Sequence, residues 1–272
     1  MIYTRSILLP FQRQMYVIYS NSYRIVRDLE IMYGRFMLED PRIATVDEIV
    51  DIKVQKQTAT SYLIACNDAS WLTTKPIKEV EHILSASKKY PDNILSFHGA
   101  AIECNGRLYV LLGPTMCGKS TLTCYLTTKG CGYVSEDSIL IDKQTFCVYP
   151  FDRPLRLRQG GYDVLTSMNI PLENCEIVTS EDWLRYVFTP SLCVTDALPV
   201  HKILFIMRGK INSIYNLSTV SAVQKLMLSP LFDYPITCEY ILWLKQFASD
   251  KCFSIMYKDM EYLYNLIVNE SI

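Results

Sequence analysis

Gly113-Pro114-Thr115-Met116-Cys117-Gly118-Lys119-Ser120 fills each fixed position of the pattern G-x-x-x-x-G-K-[ST], and its reading decides the fold. The glycines let the main chain curl so that successive N–H groups face inward. The helix that follows adds the positive end of its dipole to that concavity. The stretch therefore predicts a cradle for the phosphates of a nucleoside triphosphate, built from Gly113, Thr115, Met116, Cys117, Gly118, Lys119, Ser120 and Thr121. Lys119 is expected to reach the β- and γ-phosphates and Ser120 to ligate Mg²⁺.

The flanks suit a strand-loop-helix unit. Arg107 to Leu112 is a short apolar run before the loop, and Ser120 to Leu126 opens a helix that Gly130 ends. Upstream, Ile94 to Cys104 reads as a strand-like run joined to Arg107–Leu112 by Asn105-Gly106, the signature of a type I′ hairpin turn. The loop thus leaves the second arm of a hairpin. Downstream, Gly132 to Asp137 is a short strand ending in two acids, Glu136 and Asp137. After a phosphate-loop helix, this is where metal and general-base groups belong. Ser138–Asp142 and Phe146–Tyr149 suggest another hairpin. Arg153, Arg156 and Arg158 then follow, residues suited to neutralising phosphoryl oxygens or gripping an acidic acceptor.

The whole chain sets bounds on this picture. Its 272 residues, half hydrophobic and a fifth charged, describe an ordinary globular protein with a sizeable core. A formal net charge of −1 gives no general attraction to nucleic acid or to an anionic membrane. The sequence shows no apolar run of bilayer-spanning length and no leader pattern, so a cytoplasmic location is expected. Ten cysteines are scattered without a C-x-x-C pair, which reads as buried reduced thiols rather than a metal-thiolate site. Cys117 is the exception: at a helix N-terminus its thiol is expected to have a lowered pKa and to be reactive.

Residues 1–92 read as a small α+β unit and 93–272 as the phosphate-loop domain. In the first, Met15–Tyr19 and Ser61–Cys66 are strand candidates, and Tyr23–Met37 and Lys78–Tyr90 are helix candidates. In the second, Ser180 is expected to cap a helix over Glu181–Val187. His201–Met207 reads as a buried strand, and Ser218–Leu228 and Asp259–Val268 as helices.

Three blocks in order, Phe97-His98-Gly99-Ala100-Ala101, Gly113 to Thr121 and Val134-Ser135-Glu136-Asp137, resemble the HPr kinase/phosphorylase family, whose core is shared with phosphoenolpyruvate carboxykinase. The resemblance covers roughly residues 94 to 160 and implies an α/β phosphate-loop core with a mixed sheet. It also implies an ATP- and Mg²⁺-dependent phosphotransferase acting on a serine-type hydroxyl. By position it gives His98 a place near the transferred phosphate, makes Lys119 the phosphate-binding lysine, Ser120 and Asp137 the Mg²⁺ holders and Glu136 the general base, where HPr kinases have aspartate. In Leu155-Arg156-Leu157-Arg158-Gln159-Gly160-Gly161, Arg156 stands where the family has a glutamate associated with its metal site and reverse reaction. That departure argues against HPr as acceptor and against the reverse reaction. It brings the pattern closer to related kinases of peptide natural-product pathways, such as those phosphorylating lasso-peptide precursors.

Three functions stay open: a kinase for a peptide or free-serine-like hydroxyl, a nucleotide-binding regulatory protein without transfer, and a carboxykinase-like enzyme. The last is disfavoured for want of a second metal-ligand set of lysine and histidine. The family's hexamers leave a homo-oligomer open.

Overall fold

The computed structural model describes all residues except 12–13, 87–89, 174, 181–182, 232–233 and 270–271. The chain divides into two compact units, Met1–Pro91 with Asn174–Val187, and Asp92–Glu173 with Phe188–Ile272.

In the first unit the strands β1 (Tyr3–Leu8), β2 (Gln14–Ser20), β3 (Glu48–Lys56), β4 (Tyr62–Cys66) and β5 (Ala69–Thr73) form a mixed five-stranded sheet in sequence order. Only β2 and β3 run parallel, because the intervening α1 (Tyr23–Tyr33) carries the chain back across the sheet. Ile25, Val26, Leu29 and Met32 recur at helical spacing and are buried, which fixes the inward face of α1. The expected second helix is α2 (Pro76–Ala86). The rest of the stretch predicted for it includes 87–89, outside the described residues.

The second unit begins with β6 (Ile94–Phe97), β7 (Gly99–Cys104), β8 (Arg107–Leu112) and α3 (Lys119–Thr128). Next come β9 (Gly132–Glu136), β10 (Ile139–Asp142), β11 (Cys147–Tyr149), β12 (Leu155–Leu157) and α4 (Gln159–Ser167). The hairpin β13 (Cys175–Ser180) and β14 (Trp183–Phe188) belongs mainly to the first unit. The second unit then resumes with β15 (Leu198–Arg208), β16 (Ser213–Asn216), α5 (Thr219–Met227), α6 (Cys238–Phe247), β17 (Cys252–Tyr257) and α7 (Met260–Val268).

Its nine-stranded sheet has the path β6-β10-β11-β15-β8-β7-β9, with β17 and β16 branching from β15. β8 lies parallel to β15 and antiparallel to β7, so the sheet is mixed. Leu108, Val110 and Leu112 join the main apolar cluster with Ile203, Phe205, Leu226 and Phe247. Tyr109 and Leu111 on the opposite face of β8 are buried too, so this strand is covered on both sides. Burying a large apolar side chain stabilises by about 1.5–3 kcal/mol, which makes β8 a rigid base for the loop it feeds.

Two expectations are corrected here. Ile94–Cys104 is not one arm of a hairpin: it breaks at His98 into β6 and β7, which lie far apart along the sheet path. One residue separates them in sequence, so the sheet must curl until its ends approach at His98. The predicted helix over Glu181–Val187 is instead the strand β14 from Trp183, whose aromatic and β-branched residues suit a pleated surface; residues 181–182 lie outside the described set. The Asn105-Gly106 turn is as predicted, with φ of 55° and 76° at its two central residues.

Candidate functional site

Sheet register assembles the site. Gly99 pairs with Leu112 at the end of β8, and Ala100 pairs with Glu136 at the end of β9. The start of β7 therefore lies between those two strand ends, and His98 precedes it. The three sequence blocks meet at one edge of one sheet.

The loop from Gly113 to Ser120 is curled by two left-handed residues, Met116 with φ of 68° and Gly118 with φ of 95°. Gly118 is required twice over, by that conformation and because a Cβ there would lie 2.7 Å from the Tyr257 hydroxyl. Tyr257, buried at the end of β17, donates a hydrogen bond of 2.9 Å to the Cys117 carbonyl and holds the turn from below. Helix α3 starts at Lys119. The first four N–H groups of a helix have no intrahelical acceptor, so this start offers donors to an anion. Thr115 and Met116 stand exposed at the loop tip, and Thr121 is half-buried on the first turn. Lys119 is buried and folds back, its Nζ donating to the Gly113 and Pro114 carbonyls at 2.9 and 3.1 Å.

The cysteine expectation fails. Cys117 is buried, and burial pushes its thiol pKa up, beyond what Lys119 does to lower it. Desolvation of the thiolate outweighs the helix terminus.

The acids divide into unlike partners. Ser120 Oγ donates to Glu136 Oε1, while Glu136 Oε2 is buried and makes no hydrogen bond. Burial, then the neighbouring Asp137 charge, pushes the Glu136 carboxyl up to about 7. Asp137, with φ of 65°, turns away and takes Arg153 Nη2 at 2.8 Å and Arg156 Nη2 on the same oxygen, Oδ2. Burial works to raise its pKa. Arg156 first, then Arg153 and His98, overcome that and hold it well below the usual carboxylate range.

The expected metal pair of Ser120 and Asp137 is thus divided: Ser120 meets Glu136, and Asp137 meets guanidinium groups. Arg158 is exposed at the N-cap of α4 and joins no ion pair among the described residues.

His98 Nδ1 lies 3.2 Å from the Asp137 carbonyl oxygen. A carbonyl only accepts, so Nδ1 carries the proton in this contact and the neutral ring keeps a lone pair on Nε2. Burial, followed by Lys119 and Arg156, lowers the His98 pKa against the pull of Asp137, which keeps the imidazole neutral at pH 7.

Two contributors escape a reading of the sequence. Tyr257 lies 138 positions beyond Lys119 on a strand with no motif. Tyr133, buried in β9, donates to the Arg153 carbonyl at 2.6 Å and so steadies the arginine segment. Its position just ahead of the block that contains Glu136 is the only hint of that role.

Among the described residues no group of three or more His, Cys, Asp and Glu side chains forms a metal cluster. No described helix is long and apolar enough to cross a membrane.

No protein-family model matches the chain, and no curated protein matches it. Among solved structures, the HPr(Ser) kinase/phosphatase from Coxiella burnetii overlaps 65% of this chain and 95% of its own at 11% identity, with a TM-score of 0.30. An overlap that loose leaves fold and chemistry to be argued from the chain's own residues.

Proposed function

We propose that the chain binds the triphosphate tail of a nucleotide, ATP in the simplest case, with Mg²⁺ at the Gly113–Thr121 loop, and transfers the terminal phosphoryl group to a serine-type hydroxyl. The observation that carries this reading is the Ser120–Glu136 contact at the mouth of a curled loop, with the second Glu136 oxygen buried and unpaired.

That donor set fits Mg²⁺. It is a hard cation that takes oxygen ligands, keeps several waters and is commonly held by one or two carboxylates plus substrate phosphates. A hydroxyl and a carboxylate with one uncommitted oxygen supply the protein's share. Bound there, the ion would neutralise phosphate charge. Ser120 and Glu136 would hold it, which departs from the family-based pairing of Ser120 with Asp137.

Phosphoryl transfer asks mainly for positioning and charge stabilisation. The free amides at the start of α3 would cradle the phosphates. Lys119, whose present partners are two neutral carbonyls, would exchange them for phosphate oxygens, a stronger charge-assisted contact. Arg153 and Arg156, held together by Asp137, form a cationic edge beside the site for the equatorial oxygens. With Glu136 engaged by Ser120, neutral His98 is the better-placed acceptor for the hydroxyl proton; Glu136, with its raised pKa, is the alternative base.

The acceptor is proposed as a serine hydroxyl on a precursor peptide, with a free-serine-like small molecule as the other member of that class. Incubation with γ-labelled ATP, Mg²⁺ and a panel of serine peptides and hydroxy amino acids tests the proposal. Label on an acceptor supports it; nucleotide binding without label on any acceptor or in inorganic phosphate would favour a regulatory protein.

A further inference from the structure

The first unit contains a cavity of about 130 Å³ between α1, the β3–β4 loop, the start of α2 and β13, lined in part by Arg24, Asp28, Thr60, Thr74, Ile77 and Thr179. One water needs only ~10–15 Å³ of such space, so the cavity admits a molecule of several heavy atoms. Its charges are arranged as two poles.

The negative pole is Asp28. Its side chain is 4% exposed, and its Oδ2 makes no hydrogen bond; the nearest cation is Arg24 Nε at 3.8 Å. A carboxylate taken out of water without a donor is costly, and burial accordingly pushes the Asp28 carboxyl up to about 6 against Arg24 and Arg27. The positive pole has two sources. Arg24 is fixed by donating from Nη2 to the carbonyl and hydroxyl of Thr179, which leaves Nη1 without a partner among the described residues. Helix α2, 11 residues long, begins at Pro76 and Ile77 on the cavity wall, and a helix start carries free amides and the positive end of the dipole.

We propose that this cavity binds a small free α-amino acid as its zwitterion, with the ammonium on Asp28 and the carboxylate on Arg24 and the start of α2. An inorganic cation would suit Asp28 alone and meet repulsion from Arg24; an inorganic anion would suit Arg24 and meet Asp28. A ligand carrying both charges one carbon apart satisfies both poles, with Arg24 Nη1 left to donate a charge-assisted hydrogen bond to its carboxylate. The threonine side chains and Ile77 around it favour a short side chain such as that of alanine, serine or threonine.

The test is calorimetric titration of the intact protein with L-alanine, L-serine and L-threonine, beside N-acetylalanine, which lacks the ammonium, and alaninamide, which lacks the carboxylate. Binding of at least one of the three amino acids is expected, with affinity for either blocked alanine at least tenfold lower than for L-alanine. Asp28→Asn is expected to lower amino-acid affinity at least tenfold while the circular dichroism spectrum stays unchanged. Where Asp28→Asn does not fold, Arg24→Gln on the exposed rim decides, with a severalfold loss expected. Lys119→Ala should leave amino-acid binding intact, which separates this site from the nucleotide reading. Absence of binding by all three amino acids, equal binding of N-acetylalanine, or full affinity in the folded variant would overturn the proposal.

Discussion

Asp28 in the first unit and the Glu136–Asp137 pair in the second bury acidic groups under different electrostatic regimes. Asp28 has only Arg24 Nε at 3.8 Å and Glu136 joins no ion pair among the described residues, and burial raises both, to about 6 and about 7. Asp137, one residue from Glu136, is held down by two guanidinium groups on one oxygen. Burial alone therefore does not decide whether a carboxylate is charged; the number and closeness of its cations do. The uncompensated acids are those with a buried oxygen that makes no hydrogen bond. The compensated one serves to hold its arginines in place.

The largest expected effect concerns Lys119. Lys119→Ala should cut phosphoryl transfer by at least about 10²–10³-fold, the scale of losing one preorganised group that stabilises transition-state charge. The fold should be retained, because the lost bonds go only to two carbonyls of the loop itself. Rate measurement with labelled ATP, alongside a melting curve, checks this; an unchanged rate would remove the nucleotide reading.

The contrast between neighbouring acids is sharpest in stability. Asp137→Asn leaves Arg153 and Arg156, with side chains 6% and 15% exposed, facing a neutral amide. Breaking a fully buried pair costs about 3–5 kcal/mol. With Asp137 at 30% exposure, solvent screening brings the expected loss to roughly 2–3 kcal/mol. Glu136→Gln should cost little stability, since the amide oxygen of the new side chain still accepts from Ser120, yet it should weaken Mg²⁺-dependent nucleotide binding. Equal destabilisation by the two changes in denaturant melts would break the comparison. His98→Asn beside Glu136→Gln separates the two base assignments. If His98 takes the proton, its variant lowers kcat with the Mg²⁺ requirement unaltered.

The pH dependence has opposite signs at the two acids. Where the native carboxyl has the higher pKa, the folded state binds more protons than the unfolded one, so that group's contribution falls as pH rises. For Glu136 the window runs from its ordinary 4.5 to about 7, and for Asp28 from 3.8 to about 6. Glu136→Gln should thus raise Tm relative to the parent protein above pH 7, by up to a few degrees, and lose that advantage below about pH 4.5. Asp137 contributes the other way, its stabilisation being present above pH 3.8 and lost on acidification below that value. A Tm difference for Glu136→Gln that is flat with pH would show that the carboxyl is not raised.

Smaller effects test the supports. Tyr257→Phe removes one hydrogen bond to the loop and should cost about 1 kcal/mol, with weaker nucleotide affinity as a second readout. Arg158→Ala should fall within about 0.5 kcal/mol of the parent, since the residue is exposed and joins no ion pair among the described residues. Altered transfer kinetics in that variant would restore a role for it.

Local chemistry is legible wherever it depends on neighbours in sequence. The φ requirements of Asn105-Gly106 and Gly118, the apolar run of β8 and the helix opened by Lys119 follow from residue type within a few positions. The same holds for the stripe of α1. The break at His98 is not legible, because Ile94–Cys104 is mostly apolar on both sides of His98 and either a continuous strand or two short ones suit that pattern. Only competition for strand partners, β10 on one side and β8 with β9 on the other, divides it. The helix expected over Glu181–Val187 fails similarly: a serine in N-cap position points to a helix, whereas pairing with β13 prevails in the fold.

By itself the sequence determined the mixed α/β character, the curled loop and the set of polar residues available near it, because these follow from backbone sterics and short-range periodicity. Tertiary structure alone decided which acid meets which partner. Ser120 lies 16 and 17 positions from Glu136 and Asp137, a difference no spacing rule resolves; the left-handed turn at Asp137 sends its side chain to the arginines and leaves Glu136 to the serine. Electrostatic partnership depends on distance in space and on shared burial, and both are set only when β7 brings the ends of β8 and β9 together.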